Sequence, residues 1–302
     1  MLRFHFINLF LIITLLLAGC GAAPAAGQQS SGSLSVIATT TIAADVVRQV
    51  GGDLLQVDAL LPVGADPHSF DPAPQDMAKI ANADLIFASG AGLEEFLAPL
   101  IENAGAQGLV IDLSQGIQLL EGDGEEHGYD PHVWMDPSNV LVWVENIRAA
   151  LSHADPQHAA NYEVNANNYS AELIKLDAWV SEQVASIPQA NRRIVTDHLV
   201  FSYFSERYGL EQVGALVPGY STLSSPSARE LAEIESDILQ YGVKAVFVGK
   251  SVNPSIAQRI AEDTQVRLVY LYTGSLSAAD GPAANYIDYI RYNVSEISAA
   301  LK

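Results

Sequence analysis

Short apolar runs alternate with segments of helical periodicity along most of this chain of 302 residues, and the first of these runs is rich in β-branched residues. Four runs occur in the first half, in the segments LSVIATT, LLQVDALL, ADLIFASG and GLVIDLS, and four in the second, in RRIVTD, LEQVGALV, KAVFVG and VRLVYLY. A helical segment such as SPSARELAEIESDILQYG lies between two of them, and we expect Ser225 to cap it before Pro226. Strands that alternate with helices favour mainly parallel sheets with right-handed crossovers. The chain is therefore predicted to be an α/β protein.

One helical segment is too long for an ordinary crossover. After Asp155-Pro156, which suits the first turn of a helix, the pattern continues to Ile187 without Gly or Pro. About 30 residues make a helix of about 45 Å. Because this segment separates two α/β halves, we expect two lobes joined by one long rigid connector helix, with a cleft between the lobes. The predicted boundaries are 34–150 for the N-terminal lobe, 151–190 for the connector and 191–302 for the C-terminal lobe.

The first residues of the chain have the pattern of a sorting signal. Arg3 precedes nine apolar residues, Leu9 to Leu17, which are too few to span a bilayer because a span takes about 20. The following Ala18-Gly19-Cys20 resembles the lipobox of bacterial lipoproteins. That resemblance implies a signal peptide over 1–19, lipid on the thiol of Cys20 and an extracytoplasmic body, at the cell surface or in the periplasm. The small and polar residues that follow predict a flexible tether over 20–33. An ordinary cleaved signal with an incidental cysteine is the alternative.

The net charge and the cysteine content restrict the partners and the kinds of metal site that this chain can have. The formal net charge of -20 argues against nucleic acid as a partner, because phosphates bind basic surfaces. An acidic surface attracts cations, although it also serves solubility alone. The single cysteine, Cys20, excludes an intrachain disulfide and a thiolate zinc site. Any metal site must therefore use His, Asp or Glu.

Three of the seven histidines lie where a loop meets a predicted element. His68 lies in GADPHSFDP after the second strand, His132 lies in DPHVWMDP before a helix, and His198 follows the strand in RRIVT. We expect His68 and His198 to emerge at equivalent strand ends, one in each lobe, where open α/β sheets bind ligands, and His132 to join them in the cleft. Neutral imidazoles suit Zn²⁺. The alternative for each histidine is a structural role in its loop.

Carboxylates near these histidines are expected to orient the imidazole rings as hydrogen-bond acceptors. The candidates are Asp66, Asp71, Asp130 and Asp136. The remaining histidines are assigned elsewhere: His5 to the signal, His127 to an acidic loop over 121–130, and His153 and His158 to the surface.

The histidine motifs, together with TDHLVFSYFSERYGL, PSARELAEI and YIDYIRYNV, resemble the zinc/manganese cluster (cluster A-I) of ABC-transporter solute-binding proteins over essentially the whole body. The resemblance implies two α/β lobes around one rigid helix and metal ligands at His68, His132 and His198. It also implies delivery of the metal to an ABC permease and its ATPase. Zinc-type members typically have His at the third ligand position and manganese-type members Glu, so His198 indicates Zn²⁺ as the transported ligand. We expect a monomer without enzymatic activity.

The chain departs from this family pattern at two places. Many members have a carboxylate ligand just before the Ser-Leu of the last loop, where this chain has Gly274, so the fourth ligand is expected to be water or Asp280. Zinc-type members often have a His-rich loop where this chain has the acidic loop 121–130, which is either a weak capture loop or a solvated turn.

Two other functions remain open at the level of sequence. A Mn²⁺ or Fe²⁺ receptor of the same family is the first alternative. A zinc metallohydrolase is the second, since three histidines with an open position also describe catalytic zinc, but the chain has no H-E-x-x-H motif.

Overall fold

The computed structural model describes residues 34–122 and 128–302. The strands are β1 (Ser35–Ala38), β2 (Gln56–Ala59), β3 (Leu85–Ala88), β4 (Leu109–Asp112), β5 (Arg193–Thr196), β6 (Glu211–Ala215), β7 (Ala245–Gly249) and β8 (Arg267–Leu271). The helices are α1 (Thr41–Gly51), α2 (Pro74–Ala81), α3 (Leu97–Ala104), α4 (Pro137–Ala154), α5 (Ala159–Ala185), α6 (Ser202–Tyr208), α7 (Ala228–Tyr241), α8 (Ser255–Thr264) and α9 (Tyr286–Leu301). The predicted signal, Cys20 and tether, and residues 123–127 of the acidic loop, lie outside the described residues.

The strands form two four-stranded sheets with the same order, β2-β1-β3-β4 and β6-β5-β7-β8, and all pairs are parallel. The predicted α/β class with two mainly parallel lobes is confirmed. In the first sheet β2 pairs with one side of β1 and β3 with the other, and in the second sheet β6 and β7 flank β5 in the same way. This change of direction places a crevice between the carboxyl ends of β1 and β3, and of β5 and β7.

Each sheet is covered by helices on both faces, because alternate side chains of a strand point to opposite faces. Phe87 in β3 and Phe247 in β7 belong to one large core that also contains buried residues of α1, α4, α5 and α9. Their neighbours Ile86 and Val246 point the other way, into two smaller cores. The smaller cores include residues of α2 and α3 in the first lobe and of α7 and α8 in the second. The lobes therefore share one hydrophobic core.

The predicted long helix is present as α5, whose 27 residues span about 40 Å. It buries an apolar stripe that includes Tyr162, Tyr169 and Leu173, and it packs against α1 and α4 of the first lobe and α9 of the second. The turn at Asp155-Pro156 separates it from α4, which continues across the predicted boundary at 150/151; the domain boundaries stay predictions. None of the helices in the described ranges is long and apolar enough to cross a membrane.

The structure differs from the sequence analysis at two helix starts. The eight-residue helix α2 was not predicted; it begins at Pro74, and Asp76 accepts a hydrogen bond from the Ala73 N–H. The predicted cap of α7 at Ser225 is wrong, because Ser227 is the N-cap. The Ser227 hydroxyl accepts from the Glu230 N–H while the Glu230 carboxylate accepts from the Ser227 N–H. This reciprocal pair satisfies two N–H groups, which Ser225 before Pro226 does not offer.

An arginine of the second lobe joins the connector to the helix that follows the His132 loop. Arg207 of α6 donates two hydrogen bonds of 2.8 Å to the carboxylate of Asp177 on α5. It also lies 3.2 Å from Asp136, whose side chain caps the start of α4. The hydrogen bonds from Arg207 hold the pKa of Asp177 below its ordinary value.

We predict that Arg207→Met lowers the thermal stability of the protein by about 2–4 °C near neutral pH, as loss of about 1 kcal/mol from a partly exposed pair does in a chain of this size. A carboxyl group whose pKa is lowered by folding stabilises the protein above its unfolded pKa, near 3.8 for Asp177, and loses that contribution as pH falls through the folded value. The difference between wild type and variant in a thermal melt should therefore shrink below about pH 4.

Arg229→Met is the matched control, because Arg229 pairs with Glu233 within the single exposed face of α7. Arg229→Met should change the melting temperature only slightly at every pH. An Arg207 variant that melts like this control would show that the bridge does not contribute to stability.

Candidate metal centre

The three histidines reach one point from three different loops. His68 lies in the loop between β2 and α2, His132 lies directly before a 3₁₀ turn at Val133–Met135 that leads into α4, and His198 lies two residues after β5. The expectation that His68 and His198 occupy equivalent strand ends is wrong. β2 is an edge strand of its sheet whereas β5 is a central strand, and the equivalent of β5 is β1.

The side chains of these histidines converge through their Nε2 atoms. The Nε2 of His132 lies 3.1 Å from that of His68 and 3.2 Å from that of His198. The candidate ligand atoms of all three lie within 4.8 Å of one another. Two nitrogen ligands at about 2.0–2.1 Å from a tetrahedral zinc ion are about 3.3–3.4 Å apart, so the observed spacing suits one small cation.

A buried carboxylate fixes the tautomer of His132. Asp130 Oδ1 lies 2.8 Å from His132 Nδ1 and accepts the backbone N–H of the same residue at 2.8 Å. Burial lowers the pKa of His132, against the opposing effect of Asp130, so the ring is neutral at physiological pH. Because an ionised carboxylate only accepts, Nδ1 carries the proton and the Nε2 lone pair faces the cluster.

His198 has the same arrangement with Asp197. Asp197 Oδ1 lies 2.8 Å from His198 Nδ1, and its Oδ2 accepts the backbone N–H of Gly249 at 2.7 Å. Burial alone would raise the pKa of Asp197, but His198 and the hydrogen bonds lower it overall. Asp197 was not among the predicted orienting carboxylates. Its position directly before a histidine at a strand end was the available signal.

The other predicted carboxylates have different contacts. Asp66 Oδ1 accepts the backbone N–H of His68 at 3.1 Å, and its Oδ2 accepts the hydroxyl of Thr222 from the second lobe. It therefore fixes the backbone that carries His68 and links the two lobes. Asp136 caps α4 and pairs with Arg207, and Asp71 is exposed.

A cavity of about 10 Å³ lies among the three histidines. Its lining residues are Asp66, Pro67, His68, His132, Trp134, His198, Val200, Ser251, Val252, Thr273 and Gly274. Gly274 is therefore beside the cluster as predicted, whereas Asp280 is exposed and is not one of these lining residues. His68 is the half-buried member, and it also lines a neighbouring cavity of about 750 Å³.

The remaining histidines of the described part lie elsewhere. His153 is exposed on the last turn of α4, and His158 forms a 2.6 Å contact with Asp155. His5 and His127 lie outside the described residues.

Comparisons with known proteins extend over nearly the whole chain. A family model described as ZnuA, the periplasmic component A of a zinc-uptake complex, matches residues 36–300. The chain is 32% identical over 292 residues to the manganese-binding lipoprotein MntA of Halalkalibacterium halodurans, with 96% of each chain covered. It is 31% identical over 300 residues to the manganese-binding lipoprotein MntA of Bacillus subtilis, with 97% of each covered.

Two solved structures are similar to this fold. The periplasmic zinc-binding protein TroA from Treponema pallidum matches with a TM-score of 0.83 at 28% identity, over 89% of this chain and 99% of that one. A manganese-bound periplasmic metal-binding protein from Candidatus Liberibacter asiaticus matches with a TM-score of 0.79 at 28% identity, over 88% of this chain and 99% of that one.

We predict that Asp130→Ala weakens the affinity of the protein for Zn²⁺ by about 10- to 100-fold, because His132 loses the acceptor that fixes its tautomer and ring orientation. Competition with a chromophoric chelator measures the affinity. Asp155→Ala is the matched control, since it removes the same kind of carboxylate–imidazole contact from His158, outside the cluster. Equal affinities in the two variants would show that Asp130 does not orient a ligand.

Proposed function

The chain belongs to the ZnuA family of metal-binding receptors of ABC transporters, and we propose that it captures Zn²⁺ outside the cytoplasm and delivers it to an importer. The protein is an extracytoplasmic substrate-binding receptor and not an enzyme, as its family and relatives are transport proteins. The metallohydrolase alternative is therefore set aside. The comparisons do not decide which metal ion this protein binds.

The observation that supports Zn²⁺ as the cargo is the set of candidate ligand atoms in the cluster. His68, His132 and His198 are the proposed ligands, and each offers an imidazole nitrogen. The carboxylates of Asp130 and Asp197 are engaged by Nδ1 of their histidines, which leaves Nε2 for the ion. Nitrogen donors suit Zn²⁺, whereas Mn²⁺ prefers oxygen-rich sites.

Manganese remains the competing cargo because several relatives are named for it. Those names describe proteins about 30% identical to this chain. The resemblance described above implies Glu in place of His198 in manganese-type members, so the histidine at this position supports zinc here. Fe²⁺ is the third metal to be compared.

The partners follow from the family. An ABC permease and its ATPase are the proposed recipients of the metal, and the receptor is proposed to act as a monomer. The relatives named lipoproteins support attachment to the membrane through lipid on Cys20.

We predict that His132→Ala and His198→Ala each weaken Zn²⁺ affinity by more than about 100-fold, since loss of a direct ligand costs more than loss of its orienting partner. Calorimetric titration of the metal-free protein with Zn²⁺, Mn²⁺ and Fe²⁺ separately provides the measurement. His153→Ala is the control, because this exposed histidine lies outside the cluster.

Tighter binding of Mn²⁺ or Fe²⁺ than of Zn²⁺ by the wild-type protein would refute zinc as the cargo. Wild-type zinc affinity in either cluster variant would remove that histidine from the site.

We predict that Cys20→Ala abolishes incorporation of labelled fatty acid and releases the receptor from the membrane fraction, because the thiol is the proposed site of lipid attachment. Ser31→Ala, within the proposed tether, is the control and should be labelled like the wild type. Labelling of the Cys20 variant would contradict the lipoprotein assignment.

A further inference from the structure

The loop that carries His68 belongs to the first lobe but is hydrogen-bonded to the second lobe at two points. This His68 loop comprises residues 60–73, between β2 and α2. Ser275 Oγ, in the loop after β8, accepts the backbone N–H of Gly64 at 2.9 Å. The hydroxyl of Thr222, in the loop after β6, donates to Asp66 Oδ2, while Asp66 Oδ1 accepts the backbone N–H of His68 at 3.1 Å. The position of His68 therefore depends on two separate loops of the second lobe.

A tight turn makes the N–H of Gly64 available for this contact. The Ala65 N–H donates to the Pro62 carbonyl at 3.1 Å, and Gly64 has a φ of 82°, as the third residue of a type II turn requires. The hydrogen bond of the turn itself does not use the Gly64 N–H. That group is instead bonded to Ser275.

The Ser275 hydroxyl is in turn held by Thr41, the first residue of α1. The two hydroxyl oxygens lie 3.2 Å apart, and Thr41 Oγ1 also accepts the backbone N–H of Leu276 at 2.9 Å. Because the Ser275 hydroxyl donates to the Leu276 carbonyl at 3.0 Å, Thr41 is the donor in the pair of hydroxyls. All three residues are buried, so breaking these bonds would leave polar groups without water to replace their partners.

His68 depends on such contacts more than the other two histidines do. His132 is 1% exposed and His198 is 3% exposed, and each ring contacts a buried aspartate. His68 is half-buried and lines both the histidine cavity and the neighbouring cavity of about 750 Å³. The His68 loop therefore closes the cluster on the side of the larger cavity.

We propose that Ser275 and Thr222 are positioning residues for metal retention: their hydrogen bonds hold the His68 loop against the cluster and slow the departure of a bound ion. This inference rests on the proposed function. Neither residue is a member of the cluster of candidate ligands, so both act through the loop that carries His68. A movement of the second lobe that breaks both bonds therefore frees this loop and shortens the residence time of the ion.

The contact of Thr222 is tested with Thr222→Val, which keeps the shape of the side chain, and with Thr222→Ser, which keeps the hydroxyl. The Val variant should release Zn²⁺ about tenfold faster, the effect of one hydrogen bond to a carboxylate, and the Ser variant within about twofold of wild type. Stopped-flow transfer of Zn²⁺ from the loaded protein to an excess of a chromophoric chelator measures both rates. Equal acceleration in the two variants would overturn the role of the hydroxyl.

The contact of Ser275 is tested with Ser275→Ala, and Ser277→Ala is its matched control. The Ser277 hydroxyl donates to the Ala278 carbonyl at 2.9 Å and accepts the Ala283 N–H at 3.0 Å, so its bonds lie within the same loop of the second lobe. Ser275→Ala should release Zn²⁺ about 3- to 10-fold faster than this control. The double variant Thr222→Val/Ser275→Ala should release it faster than either single variant.

Rates and melting temperatures together separate retention from a merely structural role. Association rates should change by less than about twofold, because affinity differences among variants of one site arise mostly in dissociation. A lower melting temperature of the metal-free Ser275→Ala variant with control-like release of Zn²⁺ would overturn its role in retention. Thr222 is only partly buried, so Thr222→Val keeps the proposal open to refutation even where Ser275→Ala fails to fold.

Failure of the proposed function has a different signature. A wild-type protein that binds Mn²⁺ or Fe²⁺ more tightly than Zn²⁺ refutes the proposed cargo. A wild-type protein that prefers Zn²⁺, while Thr222→Val and Ser275→Ala both release it at the rate of Ser277→Ala, refutes only this inference.

Discussion

The hydrophobic core shared by the two sheets is the constraint on which the metal centre depends. Side chains of β3 and β7 pack into one body with α1, α4, α5 and α9, and α5 touches helices of both lobes. His68 and His198 belong to different lobes, yet both place Nε2 within 3.2 Å of the same atom of His132. Close-packed interiors do not deform continuously, so this core holds the proposed ligands from separate lobes at a spacing that suits one ion.

Two buried carboxylates then decide which nitrogen of each ring faces the ion. Asp130 and Asp197 accept hydrogen bonds from Nδ1 of His132 and His198. Each carboxylate also accepts a backbone N–H, which holds it in place. Two Nε2 lone pairs 3.2 Å apart cannot hydrogen-bond to each other. With both ring protons on Nδ1, the two Nε2 lone pairs are placed to bind one cation, as in a site organised before its ligand arrives.

The sequence predicts the parts of this structure that depend on local pattern. Short apolar runs located all eight strands of the described residues, and the absence of Gly and Pro after Pro156 located the connector. The order of strands within a sheet is a tertiary property, so the different settings of His68 and His198 were not predictable. The role of Asp197 is only partly visible in the sequence: its place directly before His198 indicates proximity, but not that its carboxylate turns back to the His198 ring. The eight-residue helix α2 carries too short a pattern to recognise.

Selection of the metal rests on fewer residues than the fold does. Relatives at about 30% identity share the receptor architecture, and their names include both manganese and zinc. The net charge of -20 attracts any divalent cation and discriminates among none of them. First-row divalent ions at a nitrogen site follow an order in which Zn²⁺ binds more tightly than Mn²⁺ or Fe²⁺, and oxygen anions in the first coordination shell weaken that preference. Three imidazole nitrogens therefore support Zn²⁺, the cargo proposed above, over Mn²⁺.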